Sequence, residues 1–165
     1  MDNNNSSFTM HCAKIIATAF GAGYAPKAPG TAGAVVGTVF LFLFNTVLYK
    51  YGATNTQIIA LDIILVILTF FAGVIAIKQV HKIWQHDSNM IVIDEVAGIF
   101  ITLLLAPLDW RYYLAGFILF RFFDIAKPLY IKKVDLLKSS WSVMLDDILA
   151  GVYSFAVLQL ASMLF

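Results

Sequence analysis

The sequence has little charge and almost no cysteine. Charged residues occupy 13% of its 165 positions, against about 25% in soluble domains. Cys12 is the only cysteine, which excludes an internal disulfide and leaves the redox compartment unread. The 11 basic and 10 acidic residues nearly cancel, to a net charge of +1, so bulk charge excludes a strongly basic nucleic-acid binder. The polar start, Met1 to Ser7, lacks the basic stretch and cleavage site of a signal peptide, and insertion into a membrane would rely on internal segments. Also missing are the Gly-Lys-Ser/Thr ending of a Walker loop, a Ser-His-Asp elbow, a cysteine-centred phosphatase loop and a zinc motif.

Apolar residues, by contrast, fill 61% of the chain. A soluble fold of this size could not hide so much apolar surface, whereas lipid can. The pattern predicts an all-α integral membrane bundle of about five hydrophobic segments: residues 32–49, 58–77, 91–106, 112–125 and 143–165. A spanning helix takes about 20 apolar residues, with a range of about 17–25. The first, second and fifth segments qualify. The third and fourth are short and charged at one end, so they cross only if those ends sit at the interface or in a wet pocket. A less apolar helix over residues 9–20 is expected to lie at the membrane surface. Residues 1–8 read as a disordered polar tail and residues 9–165 as one membrane domain.

If the first segment starts in the cytoplasm and all five cross, nine of the 11 basic residues fall inside: Lys14, Lys27, Lys78, Lys82, Arg121, Lys127, Lys132, Lys133 and Lys138. That satisfies the positive-inside rule. The same threading brings Asp87, Asp94, Glu95, Asp124, Asp146 and Asp147 to that face, with Arg121 and the Gly/Pro-rich stretch 21–33. Ionisable groups at membrane depth are costly and usually functional. Asp62 lies near the opposite face, away from this group, and reads as interfacial or paired.

Two acidic pairs, Asp94-Glu95 and Asp146-Asp147, each open a hydrophobic segment. Acids there could simply complement the helix dipole, but clustered carboxylates embedded in apolar runs also suit a hard cation such as Mg²⁺. One pair cannot wrap a metal, because adjacent helical positions diverge; two facing helix starts can. Asp94-Glu95-Val-Ala-Gly98 echoes Asp147-Ile-Leu-Ala-Gly151, and the small Ala-Gly ends would let helices approach closely. Arg121 and Asp124 share a helix face. Arg121 suits a phosphate oxygen, Lys127 would add a point charge, and Asp124 would either bind metal or orient Arg121. In the 21–33 loop, Gly30, Lys27 and Thr31 are candidate anion contacts, with Thr31 as a helix cap; a structural turn explains the loop equally well. Asp87 is a possible base or ligand, and Ser88 a possible cap. His11 and His81 have no metal-ligand spacing. Lys132, Lys133 and Lys138 read as a loop facing anionic headgroups.

Taken together, the stretches Gly21-Ala-Gly-Tyr-Ala-Pro-Lys-Ala-Pro-Gly-Thr31, Ile91-Val-Ile-Asp-Glu-Val-Ala-Gly98, Phe120-Arg-Phe-Phe-Asp-Ile-Ala-Lys-Pro128 and Val143-Met-Leu-Asp-Asp-Ile-Leu-Ala-Gly151 resemble the phosphatidylglycerophosphatase A family in order and spacing, over roughly residues 10–160. The resemblance implies a multi-pass, Mg²⁺-dependent enzyme of the bacterial inner membrane, its site facing the cytoplasm. It would release inorganic phosphate from phosphatidylglycerophosphate. It makes Asp94, Glu95, Asp124, Asp146 and Asp147 the metal-site candidates and Arg121, Lys127, Lys27 and Thr31 the phosphate contacts. Two stretches depart from the family: Leu129-Tyr130-Ile131, where a second proline is usual, and Ser139-Ser140-Trp141-Ser142, where glycines are common. Whether water or an aspartate attacks phosphorus stays open, as does the oligomeric state. The rival from another class is an ion or metal transporter, which would spread its acids through the membrane depth. A phosphatidyltransferase would need a longer aspartate-glycine-alanine-arginine motif, absent here.

Overall fold

The computed structural model describes residues 2–84, 88–128, 131, 134, 137 and 139–163. Among these residues there are helices and no strand: α1 (Asp2–Ala17), a short 3₁₀ turn (Ala22–Tyr24), α2 (Pro29–Lys50), α3 (Asn55–Val80), α4 (Ile93–Thr102), α5 (Trp110–Ala126) and α6 (Ser140–Ser162). α1 begins at Asp2.

Local chemistry sets the helix ends. Thr54 and Gln57 form a reciprocal capping box at the start of α3, and Ser139 and Ser142 do the same for α6. Asp109 caps α5, its Oδ1 accepting from the Arg111 amide at 2.9 Å. Pro29, with φ already fixed, opens α2 after Ala28 in the left-handed region. This corrects the expectation that Thr31 caps the helix: it already lies inside the first turn. Ser88 does not cap α4 either. Its Oγ accepts from the Met90 amide, while Val92 occupies the cap position.

Three helices, α2, α3 and α6, are long and apolar enough to cross a membrane. Their outer faces carry exposed apolar side chains such as Leu43, Leu68, Phe71, Ile75 and Leu160. That is costly in water and favourable in lipid. The third predicted segment is corrected more deeply. Of residues 91–106 only the ten of α4 are helical, about 15 Å of rise and too short to span alone. The chain then leaves the helix through Leu105, which has a φ of 64°. Eight of the ten α4 residues are buried, with α2, α3, α5 and α6 packed around them. Non-helical backbone at membrane depth is tolerated when protein covers it.

α4 and α6 pack backbone to backbone. A Cβ on Gly151 would stand 2.5 Å from the carbonyl oxygen of Gly98, and one on Gly98 would meet the Asp147 carbonyl and the Phe120 ring. Only glycine permits this approach. It fixes the register in which the two acidic helix starts meet; the sequence had suggested only that each Ala-Gly pair lets a neighbouring helix come close. At the same end the Val92 amide donates to the Ala17 carbonyl at 2.9 Å, tying α1 to the start of α4.

Candidate active site

The starts of α4 and α6, the end of α5 and the start of α2 meet around a cavity of about 490 Å³. Asp94 and Glu95 come from the first turn of α4, Asp147 from α6. One carboxylate oxygen from each of these three lies within 4.8 Å of the others. Asp94 Oδ1 and Glu95 Oε2 are buried and accept no hydrogen bond among the described residues. Three acids held this close in an apolar surround repel one another, and burying them uncompensated is expensive. Converging hard oxygen donors with spare lone pairs are what a small divalent cation takes as ligands. The residues therefore fit such an ion.

The other two predicted metal candidates line the same cavity but are each tied to a cation. Asp124 Oδ2 accepts from Arg121 Nη1 at 2.5 Å, and Asp146 Oδ2 accepts from Lys127 Nζ at 2.7 Å. Arg121 Nη1 also lies 4.0 Å from Glu95 Oε1, while its Nε has no partner among the described residues. A guanidinium held by one carboxylate and facing a cluster of others is oriented rather than neutralised. Its remaining donors stay available to an anion. Lys127 ends α5 in the left-handed region, φ 42°.

Gly30 supplies the α2 side. A Cβ there would run into Glu95 Oε1 and stand 3.3 Å from Arg121 Nη1, so the missing side chain lets the start of α2 close on the acidic cluster. The first amides of α2 have no partner within the helix, and they carry its positive dipole end.

Of the residues predicted for the site, Asp94, Glu95, Asp124, Asp146, Asp147, Arg121, Lys127 and Gly30 all line this cavity. Lys27 is exposed on the preceding loop and Thr31 is half-buried behind Gly30, both outside the lining. Asp87 falls outside the described residues, as do Lys132, Lys133 and Lys138. Sequence reasoning missed Ala28, Pro29 and Asn89. The first two sit in a stretch marked for its glycines. Asn89 had only its place before the Ile91–Gly98 stretch to mark it.

Comparison with known proteins bears on what this cavity belongs to. The sequence profile described as phosphatidylglycerophosphatase A matches residues 15–162. The chain belongs to the phosphatidylglycerophosphatase A family. Two relatives carry the family name: one from Haemophilus influenzae, 36% identical over 87% of this chain and 84% of its own, and one from Escherichia coli, 34% identical over 87% of this chain and 80% of its own. A third, from Bacteroides thetaiotaomicron, is 40% identical over 89% of this chain and 91% of its own, and is provisionally named a phosphatidylinositol-3-phosphatase. No solved structure matches the chain. As a phosphatidylglycerophosphatase A family member the chain is a phosphatase enzyme, and nothing in the comparisons supports the transporter alternative. The matched span of the family contains every cavity residue named above.

Proposed function

We propose that this protein hydrolyses phosphatidylglycerophosphate to phosphatidylglycerol and inorganic phosphate at the cytoplasmic face of a bacterial inner membrane, with Mg²⁺ as cofactor. The observation that carries the reading is the convergence of the Asp94, Glu95 and Asp147 carboxylates beside Arg121. It lies at one end of a bundle with membrane-length helices, in a chain of this family. A lipid phosphatase needs its chemistry at the depth of the headgroups, and an acidic cluster at one helix end supplies it there.

Asp94, Glu95 and Asp147 would hold the ion, with Asp146 and Asp124 able to join them. When bound, Mg²⁺ would polarise the phosphoryl group and offset its charge. The protein's own groups do the rest. Arg121, oriented by Asp124, would bind non-bridging phosphate oxygens. Lys127, held by Asp146, adds a positive charge at the same opening. The first turn of α2 presents amides and a positive dipole end to the phosphate, with Thr31 in that turn. Lys27, on the exposed loop before it, would meet the headgroup. Either water attacks phosphorus directly, or a cavity carboxylate does so and a water then hydrolyses the resulting acyl phosphate. In both cases the ester P–O bond breaks, water supplies the new oxygen of inorganic phosphate, and the proton that water gives up balances the one taken by the departing glycerol oxygen.

A second reading concerns the headgroup. The relative named for a phosphoinositide is 40% identical, above the 36% and 34% of the two named for phosphatidylglycerophosphate. Both substrates are phosphomonoesters on a lipid polyol, so the same acidic and basic groups serve either.

The test is phosphate release by purified protein from each lipid, with Mg²⁺, Ca²⁺ or EDTA. We expect turnover of phosphatidylglycerophosphate that EDTA abolishes and Mg²⁺ restores better than Ca²⁺, because carboxylates sharing a phosphate suit a small octahedral ion. A higher kcat/KM on phosphatidylinositol 3-phosphate moves the assignment to the second reading. Full activity in chelator removes the metal from the mechanism.

A further inference from the structure

A second polar cavity, about 590 Å³ in volume, lies at the opposite end of the bundle. At its base stand Asn45 from α2, Asp62 from α3 and Tyr113 from α5, with Ile58, Ile59 and Leu108 among the apolar walls. Asp62 and Asn45 are only 3% and 4% exposed. Asn45 Nδ2 donates both to Asp62 Oδ2, at 3.0 Å, and to the Tyr113 hydroxyl, at 3.1 Å. Both amide hydrogens are thereby committed. Asn45 Oδ1 and Asp62 Oδ1 are buried and have no hydrogen-bond partner among the described residues. The structure brings Asp62 inside the bundle, paired with Asn45, rather than to the interface.

This base has an unusual balance of groups. It holds one carboxylate, two acceptor oxygens lacking donors, and a phenol oxygen with a lone pair to spare. The nearest hydrogen-bonded neighbours bring no counter-charge. A buried acceptor without a donor costs about 1–3 kcal/mol, and more when charged. Tyr113 has one hydroxyl hydrogen of its own to give; a ligand that brings further donors and a positive charge completes the base. A primary ammonium group has three donors on one centre. A bare ion needs far less room: a water's share of liquid volume is only about 30 Å³. The remaining space and its isoleucine and leucine walls suit an apolar body attached to the charge.

We propose that this cavity binds the primary ammonium group of an amphiphile, through Asp62, Asn45 and Tyr113. It is separate from the carboxylate site and does not rest on the function proposed for that site. The source of the amine is either a lipid headgroup of the surrounding leaflet or a soluble alkylamine.

The full chain in phosphatidylcholine nanodiscs distinguishes these, since a quaternary ammonium donates no hydrogen bond. Binding of acyl-labelled phosphatidylethanolamine is compared with that of acyl-labelled phosphatidylcholine, and n-octylamine is added as a competitor. Preferential binding of the ethanolamine lipid, or saturable stabilisation by octylamine, supports the site and names its source. Asp62→Asn should weaken either by about tenfold or more. Tyr113→Phe, which deletes one oxygen and keeps the ring packing, should weaken it several-fold in protein whose circular dichroism is unchanged. Equal binding of both lipids with no effect of octylamine overturns the proposal. So does amine binding that survives both substitutions, or stabilisation that sodium or potassium chloride reproduces in full.

Discussion

At the residue scale, the acids of the bundle fall into groups by what they touch. Asp94, Glu95 and Asp147 converge on each other, Asp124 and Asp146 each hold a cation, and Asp109 caps a helix. If the first three hold a metal, Asp94→Asn, Glu95→Gln and Asp147→Asn should each lower turnover by roughly 100-fold or more, because each removes a ligand and part of the charge that fixes the ion. The protein should still insert and fold. An acid that served only the helix dipole would contribute about 0.3–1 kcal/mol of stability and no chemistry. Asp109→Asn is the matched control: asparagine caps as well as aspartate, so phosphate release should stay near the parent rate. Wild-type turnover in all three cavity variants would show the cluster to be idle. Arg121→Lys separates geometry from charge. Lysine keeps the charge but loses the planar fork that Asp124 orients, and kcat/KM should drop by roughly tenfold or more. An unchanged kcat/KM would mean that a point charge suffices.

At the element scale, the site depends on α4 and α6 touching backbone to backbone. Gly151→Ala puts a methyl group 2.5 Å from the Gly98 carbonyl oxygen, and neither helix backbone can yield cheaply. Overpacking of this kind costs about 1–3 kcal/mol, occasionally more. It should lower the thermal midpoint and, by moving Asp147 from Asp94 and Glu95, lower turnover even where the protein stays folded. Gly52→Asn tests the contrast. Gly52 has positive φ but nothing within 4 Å of a Cβ, and asparagine tolerates that conformation, so stability should barely move. If the two variants behave alike, helix contact is not what holds the site. The paired Asp…Gly stretches made this contact readable from sequence, because small residues beside acids in apolar runs have few other uses. The length of α4 was not readable. Residues 91–106 are apolar throughout, and hydropathy reports the surroundings of a chain, not where its hydrogen bonding stops. The helix ends at Thr102 with Leu103 at its cap, and the chain turns at Leu105, where φ is 64°. Arg121 with Asp124 could be foreseen from their spacing. Lys127 with Asp146, 19 residues apart, and Asn45 with Asp62 and Tyr113 could not, since such pairs exist only once helices are assembled.

At the scale of the whole molecule, the charged ends decide orientation. Lys14, Lys27, Lys78, Lys82, Arg121 and Lys127 belong to the end that holds the carboxylate cavity, Lys50 and Arg111 to the other. By the positive-inside rule, we propose that the cavity faces the cytoplasm. α4 is too short to cross a membrane alone; a pair that dipped in and returned would leave Arg111 on the inner side. The hydrogen bond from Asn45 to the Tyr113 hydroxyl at 3.1 Å argues otherwise. It ties the start of α5 to the end of α2, so α4 and the turn after it carry the chain from one end of the bundle to the other. Single cysteines in a Cys12→Ser background test this directly. A membrane-impermeant thiol reagent should reach Lys50→Cys and Arg111→Cys from the outer face only, and Lys82→Cys only after the cytoplasmic face is opened. Labelling of Arg111→Cys together with Lys82→Cys would sink the crossing of α4. Labelling of all three from one face would separate the helices whose ends build the cavity, and with it the site.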